Sequence, residues 1–367
     1  MGRLGTRLTL LPRAAINSMG KRQRPTNIGS ILIAHNLLLG DTLMLTALLA
    51  RCRRHWPKAR IMMTVAPGLK GLYTSQPYGV AVLPFDPHRA STARQIAKSG
   101  PYDLALVPGD NRHTILAHAA GAKWIVALDD TQVRVGNMMA DELVPWPEKP
   151  AALADIFATL AGDGKETGEE AYDRAAWPSP SFTPVDLPRL PYSVLHVGAG
   201  SPLRHWPSER WMQLAESLVA QGFLPIWSGG AGEVALIDAI DPEHRFPSTA
   251  GKLDLPQLWR LLEYASLLVV PDTGIAHLAK LTGTPTVCLF GPGSDVLFGA
   301  GQFWRHHRFV PVIEADFPCR NQRTLFKREL DWVRRCQRGT NACAAPACMH
   351  ALGVERVIAA CEQALAT

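Results

Sequence analysis

LLVVPDTGIAHLAKLTGTPTVCLFGP, residues 267–292, is the stretch that decides the fold. Its first four residues are apolar without interruption, the pattern of a parallel strand buried on both faces. A polar turn, Asp272-Thr273-Gly274, follows at once, and a helical pattern begins behind it. The apolar residues 286–290 form the next strand. A helix that opens at the carboxyl end of a strand presents unpaired N–H groups and the positive end of its dipole. Such a terminus suits phosphate. Asp272 is the odd member, because a carboxylate repels phosphate. It suits a helix cap or a sugar hydroxyl instead.

Working outward, the alternation recurs on both sides. Residues 30–34, 60–66, 80–83, 102–107 and 124–128 read as strands, with a helix over 41–54 and helical patterns between most of the others. Residues 177–191, WPSPSFTPVDLPRLP, hold five prolines and form an extended linker. Beyond it strands fall at 193–197 and 223–227, and helices at 207–220, 233–240, 255–263 and 353–366. At 367 residues the chain exceeds a usual single core. The expectation is an α/β protein with a basic leader over 1–29 and a doubly wound domain over 30–176. The 177–191 linker then leads to a second such domain over 192–367, which includes a cysteine-bearing segment at 318–349 and a terminal helix. Ligands are expected in a cleft between the strand ends of the two domains.

Apolar content of 47% and charged content of 19% describe an ordinary globular chain. No apolar run approaches ~20 residues, so no membrane span is expected. Pro12 and Arg13 break the leader's apolar patch before it reaches signal-peptide length, and the chain reads as cytoplasmic. The net charge of +6 is uneven: no acidic residue precedes Asp41, while Arg3, Arg7, Arg13, Lys21, Arg22 and Arg24 do. Such a leader suits the anionic inner face of a membrane, or is a disordered tail. No aromatic-interleaved basic motif points to nucleic acid. Of seven cysteines, Cys52, Cys288 and Cys361 sit in apolar patterns and read as core. Cys319, Cys336, Cys343 and Cys348 crowd together near the end and are candidate metal ligands, without any C-x-x-C pair.

Three constellations carry chemistry. In His35-Asn-Leu-Leu-Leu-Gly40-Asp41, Gly40 allows a tight turn and Asp41 is either a helix cap or a general base for a hydroxyl. After the first strand of the second domain, Gly198 and Gly200 let backbone approach a ligand, and Arg204 adds a charge suited to diphosphate. Residues 230–235 formally match G-x-G-x-x-A, with Asp254 downstream, which would suggest an NAD-dependent oxidoreductase. That fingerprint belongs to the first βα turn of a domain, and this one follows the second strand. Glu233 is better suited to a ribose hydroxyl.

Together these segments resemble the heptosyltransferases of lipopolysaccharide core synthesis, glycosyltransferase family nine, from residue 30 onward. The resemblance rests on D-T-G-x-x-H-L-A at 272–279 with G-T-P-T-V-x-L-F-G-P at 283–292, on G-D-x-L at 40–43, and on S-P-x-R-x-W-P-x-E-R-W at 201–211. The cysteine segment from Pro318 to Met349 is also similar to the family's C-terminal signature. The resemblance implies the GT-B fold and inverting transfer of a heptose from ADP-heptose to a lipopolysaccharide core hydroxyl, with no required metal or cofactor. It makes Asp41 the base, sets Arg204 on the diphosphate and Glu233 on the ribose, and places Asp272, Thr273, Gly274 and His277 in the donor-binding turn, with Gly198 and Gly200 on the donor side.

Two departures bear on the acceptor. Family members often carry an arginine where residues 34–38 read AHNLL. The segment 320–338 is basic, with Arg320, Arg323, Lys327, Arg328, Arg334, Arg335 and Arg338, and reads as a contact for an acidic acceptor or as a solvated surface loop. The late cysteines allow a second comparison, with autotransporter heptosyltransferases that modify protein serines and carry cysteine-bound iron, whose spacing is not matched here. A same-fold transferase using another nucleotide sugar or a protein acceptor is the alternative.

Overall fold

The computed structural model describes residues 3–19, 22–129, 135–162, 170–326 and 328–366, so Lys21 and Lys327 lie outside the described residues. The chain divides into two compact units: Met1–Pro178 with Thr324–Asp331, and Ser179–Arg323 with Trp332–Thr367.

The first unit holds β1 (Ser30–Ile33), β2 (Arg60–Val65), β3 (Val80–Pro84), β4 (Tyr102–Val107), β5 (Ala122–Leu128) and β6 (Glu142–Val144). All pair in parallel in the order β3-β2-β1-β4-β5-β6. Ile31, Leu32 and Ile33 are fully buried, as a central strand covered on both faces requires. The strand order reverses between β1 and β4, which opens a crevice outside the carboxyl end of β1. The leader forms a helix, Arg3–Ser18, that packs on helices Ala90–Ser99 and Thr114–Ala119. Thr6, Leu10 and Ala14, spaced four apart, are its buried face. Arg22 and Arg24 are not a free basic tail: they pair with Asp141 at 2.6 Å and Glu142 at 3.2 Å.

A short antiparallel hairpin, β12 (Thr324–Leu325) and β13 (Arg328–Glu329), completes this unit. Arg328 is 1% exposed. Its guanidinium donates to the carbonyls of Gly109 (2.8 Å), Leu128 (3.0 Å) and Asp129, and to Asn111 Oδ1 (3.2 Å). It also lies 5.2 Å from the Trp146 ring. Arg320, in the other unit, is also buried. The solvated-loop reading of residues 320–338 therefore fails at both positions. Two of its arginines are internal because carbonyls at loop ends supply the acceptors a buried guanidinium needs.

The second unit holds β7 (Tyr192–His196), β8 (Leu224–Ser228), β9 (Leu267–Pro271), β10 (Thr286–Phe290) and β11 (Phe309–Ile313), parallel in the order β11-β10-β9-β7-β8. Its order reverses between β7 and β9. The loops after those two strands are therefore neighbours at the carboxyl edge. One core layer joins Trp206, Trp211 and Trp227 to the helix Val354–Leu365, which buries Val357, Ala360, Cys361 and Ala364. Trp206 Nε1 donates to Leu352 O at 2.8 Å, tying the loop after β7 to the chain just before that helix.

Candidate functional site

In the second unit, the turn after β9 leads into helix Gly274–Thr282. Thr273 is its cap, in extended backbone (φ −140°, ψ 173°), and its Oγ1 accepts from Ile275 N–H at 3.3 Å. Asp272 does not cap. It is 5% exposed, and its Oδ2 has no hydrogen-bond partner among the described residues. A Cβ on Gly293 would lie 2.0 Å from that oxygen, so the loop after β10 can close over the carboxylate only as glycine. Burial pushes the Asp272 carboxyl above its usual range, while Arg204, Arg335, Lys280 and Arg320 pull the other way.

Arg204 comes from the loop after β7. Its Nη1 donates to Asp272 O at 2.6 Å and lies 3.9 Å from Oδ2, with the side chain 30% exposed. The topology thus brings a partly exposed guanidinium to a helix N-terminus, and both favour the same kind of ligand, an anion. Glu233 follows β8. Its carboxylate accepts from Gly230 N–H and lies against Gly198, where a Cβ would come within 2.7 Å of Glu233 Cδ. Gly198, Glu233, Arg204 and the 272–274 turn therefore all lie at one sheet edge. Gly200 stands apart, exposed, with open space where a side chain would be. Asp254 caps helix Leu255–Glu263 reciprocally with Gln257, at 2.8 and 3.0 Å, so its place in the fold is that of a capping residue.

His277 and Lys280 lie one turn apart in the same helix, 3% and 1% exposed. Lys280 Nζ donates to Phe298 O at 2.9 Å and to Gly299 O, and reaches His277 Nδ1 at 3.3 Å. An ammonium has no lone pair, so Nδ1 is the acceptor and the imidazole proton sits on Nε2. Burial first, and the Lys280 charge second, hold the His277 pKa well below its usual value, so the ring is neutral. Lys280 was not singled out in the sequence, and Arg320 was read there as an acceptor contact or a solvated residue rather than as a buried one. Arg320 donates to Gly293 O and to Glu314 O (3.3 Å), fixing the glycine loop over Asp272.

Asp41 belongs to the first unit. It lies in the first turn of helix Leu39–Met44, whose cap is Leu38, so Asp41 is not the cap residue. The loop before it is fixed from below. Thr64 Oγ1 donates to His35 O (2.6 Å) and accepts from His35 N–H (2.8 Å), Leu37 N–H donates to His35 Nδ1 (3.1 Å), and Thr42 Oγ1 donates to Leu37 O (3.2 Å). Asp41 thus sits in a rigid mount at the reversal point of its sheet.

Cys319, Cys336, Cys343 and Cys348 are free thiols in the second unit. Among the described residues no group of three or more His, Cys, Asp or Glu is placed to hold a metal ion.

Residues 94–327 match the sequence profile of glycosyltransferase family 9 (heptosyltransferase). The chain is 32% identical to lipopolysaccharide heptosyltransferase 1 of Pseudomonas aeruginosa over 135 residues, 36% of each chain. It therefore spans only about a third of that relative. Against lipopolysaccharide heptosyltransferase 3 of Escherichia coli it is 20% identical over 316 residues, 77% of this chain and 89% of the relative. The solved E. coli ADP-heptose lipopolysaccharide heptosyltransferase II superposes with a TM-score of 0.67 at 16% identity, covering 92% of this chain and 98% of that one. At that identity the likeness is one of fold.

Proposed function

The chain belongs to glycosyltransferase family 9 (heptosyltransferase), and from that premise we propose that it transfers a heptose from ADP-heptose to a hydroxyl of a lipopolysaccharide core acceptor, with inversion. The observation that carries the proposal is Arg204 held on the turn that opens helix Gly274–Thr282. A leaving diphosphate gathers negative charge as the bond to the sugar breaks. A guanidinium and a helix N-terminus, fixed beforehand, stabilise that charge without reorganising. Thr273 and Gly274 offer the N–H groups. Asp272 serves from beneath, anchoring Arg204 through its carbonyl. Glu233, beside Gly198, suits the ribose hydroxyls, and His277 presents a neutral Nε2–H. Asp41 is the base: as the acceptor oxygen attacks the anomeric carbon, its proton passes to the carboxylate and the nucleoside diphosphate departs. On this reading the reaction takes place in the cytoplasm, where a nucleotide-sugar donor is available, at the inner face of the membrane that holds a glycolipid acceptor.

Calorimetric titration with ADP-heptose, GDP-sugars, UDP-sugars and NAD in parallel tests the donor. ADP-heptose should bind, and Asp41→Asn should keep that affinity while lowering kcat by about 10²–10⁴-fold. Binding of a different sugar nucleotide alone would replace the heptose assignment, and binding of NAD alone would overturn the proposal. An Asp41→Asn variant with undiminished turnover would remove Asp41 from the role of base.

A further inference from the structure

Helix Arg3–Ser18 has two apolar faces. Thr6, Leu10 and Ala14 are buried against the first unit. Leu8, Leu11 and Ile16 on the helix, and Met19 just beyond it, are 66%, 47%, 69% and 80% exposed. At about 100° per residue, positions 8 and 19 fall opposite the mean direction of positions 6, 10 and 14, with 16 about 60° to one side of that line and 11 about 80° to the other. One face thus accounts for the packing of the helix, and the other is left exposed among the described residues. Such large side chains are unusual on an exposed helix face, and four of them in one stripe mark a docking surface.

The charge around the stripe is of one sign. The helix sequence, RLGTRLTLLPRAAINS, has three arginines and no acidic residue. The neighbouring helix Ala90–Ser99, ASTARQIAKS, also has none. Arg13, Arg94 and Lys98 are exposed on these two helices. An apolar stripe flanked by cations and free of carboxylates complements a surface that is apolar just below a layer of negative charge, the interface of an anionic bilayer. A second copy of this chain would bring the same cations against themselves, which disfavours self-association there. Among the described residues no helix is long and apolar enough to cross a membrane.

We infer that the outer face of Arg3–Ser18 is a docking site for an anionic phospholipid surface. Leu8, Leu11, Ile16 and Met19 enter the head-group boundary, and Arg13, Arg94 and Lys98 meet lipid phosphates. The inference rests on the heptosyltransferase proposal only for its purpose, which is to hold the enzyme where a glycolipid acceptor resides. Vesicle binding is measured without donor or acceptor, so the two can fail separately.

The test is flotation of the full chain with vesicles of phosphatidylethanolamine and phosphatidylglycerol, against vesicles of phosphatidylcholine alone. The protein should float with the anionic vesicles, and less so as salt screens the charge. The triple variant Leu8→Gln, Ile16→Gln, Met19→Gln changes only exposed side chains, so it keeps its fold, and should lower the partition coefficient by about tenfold or more. Arg13→Glu with Arg94→Glu should weaken binding to anionic vesicles and leave the phosphatidylcholine value unchanged. Wild-type protein that stays with the unbound fraction would overturn the inference, as would binding that survives the triple variant. So would a triple variant that turns a dimer into a monomer in sedimentation while vesicle binding is unchanged, because the face would then join copies of this chain.

Discussion

An ammonium taken out of water costs several kcal/mol unless its N–H groups find acceptors. Lys280 meets that condition with the carbonyls of Phe298 and Gly299 and with His277 Nδ1, and lies 4.4 Å from the Phe309 ring and 5.3 Å from that of Trp304. Methionine would fill most of the space but satisfy none of these acceptors. Lys280→Met should therefore destabilise the second unit by about 1–3 kcal/mol. A merely structural role ends there, but the tautomer argument goes further. Without the Lys280 proton donor, Nδ1 of His277 is no longer forced to accept, and nitrogen NMR of the histidines should show a mixture of Nδ1–H and Nε2–H forms in place of a single Nε2–H form. A single Nε2–H signal persisting in the variant would show that something other than Lys280 sets the tautomer. In the sequence Asp41, Arg204 and Asp272 stand out because polar residues in strand-end turns are rarely core. Lys280 does not. It reads as a last-turn lysine favourable to the helix dipole, and its burial depends on carbonyls some twenty residues later in the chain.

Most strands of the two sheets were legible because each is a short apolar run between turn residues, and 102–107 and 286–290 are strands over those same residues. Three elements were not. β6 is three residues long with only Val144 buried, so it carries no apolar run. β11 contains Pro311 and lies at the sheet edge, paired only with β10, where a missing N–H is tolerated; proline disguises such a strand in sequence. The hairpin β12–β13 is two residues a side, too short for any period, and is held by Arg328 together with the buried Leu325. That arginine makes the hairpin a test of element-scale stability. In Arg328→Ala the carbonyls of Gly109, Leu128 and Asp129 lose a charged donor together, with a cost of about 2–4 kcal/mol. Phe326, which sits near Gly109 and has its ring 6.2 Å from that of Phe157, and the buried Leu325 are then among the ties that remain. Hydrogen exchange of residues 324–329 should accelerate at least tenfold relative to β4 and β5. Unchanged protection in the variant would mean that the apolar contacts of the segment hold the hairpin and that the buried charge adds nothing.

At the scale of the whole molecule, both sheets reverse their strand order beside their first strand, and the residues with chemical potential collect after β1, β7 and β9 for that reason. The alternation of elements foretold two such sheets. It could not foretell that residues 324–331 return to the first unit, since no compositional shift marks that passage. Both units also share a feature with a measurable consequence: each buries neutral histidine. Burial lowers the pKa of His35 in the first unit to about 3 and that of His196 in the second to about 4, from an ordinary value of 6.5, and His277 lies well below 6.5 as well. Unfolded, these rings take up protons below about pH 6.5, whereas folded they do not until far lower. The unfolded state therefore binds more protons as pH falls, and stability present in full above 6.5 is lost at about 1.4 kcal/mol per pH unit for each such histidine. Asp103, Asp110 and Asp241, whose carboxyls are held below their usual range by hydrogen bonds and neighbouring cations despite opposing burial, act with the same sign but only at lower pH. Between about pH 6.5 and about pH 4.5 the histidines thus dominate, and the urea midpoint of each unit should fall steadily, more steeply in the second, where burial depresses His196, His205, His277 and His307, against His35, His113 and His118 in the first. A midpoint that stays level across that window would mean that the rings are hydrated and titrate normally, and the neutral His277 on which the tautomer argument stands would be lost with it.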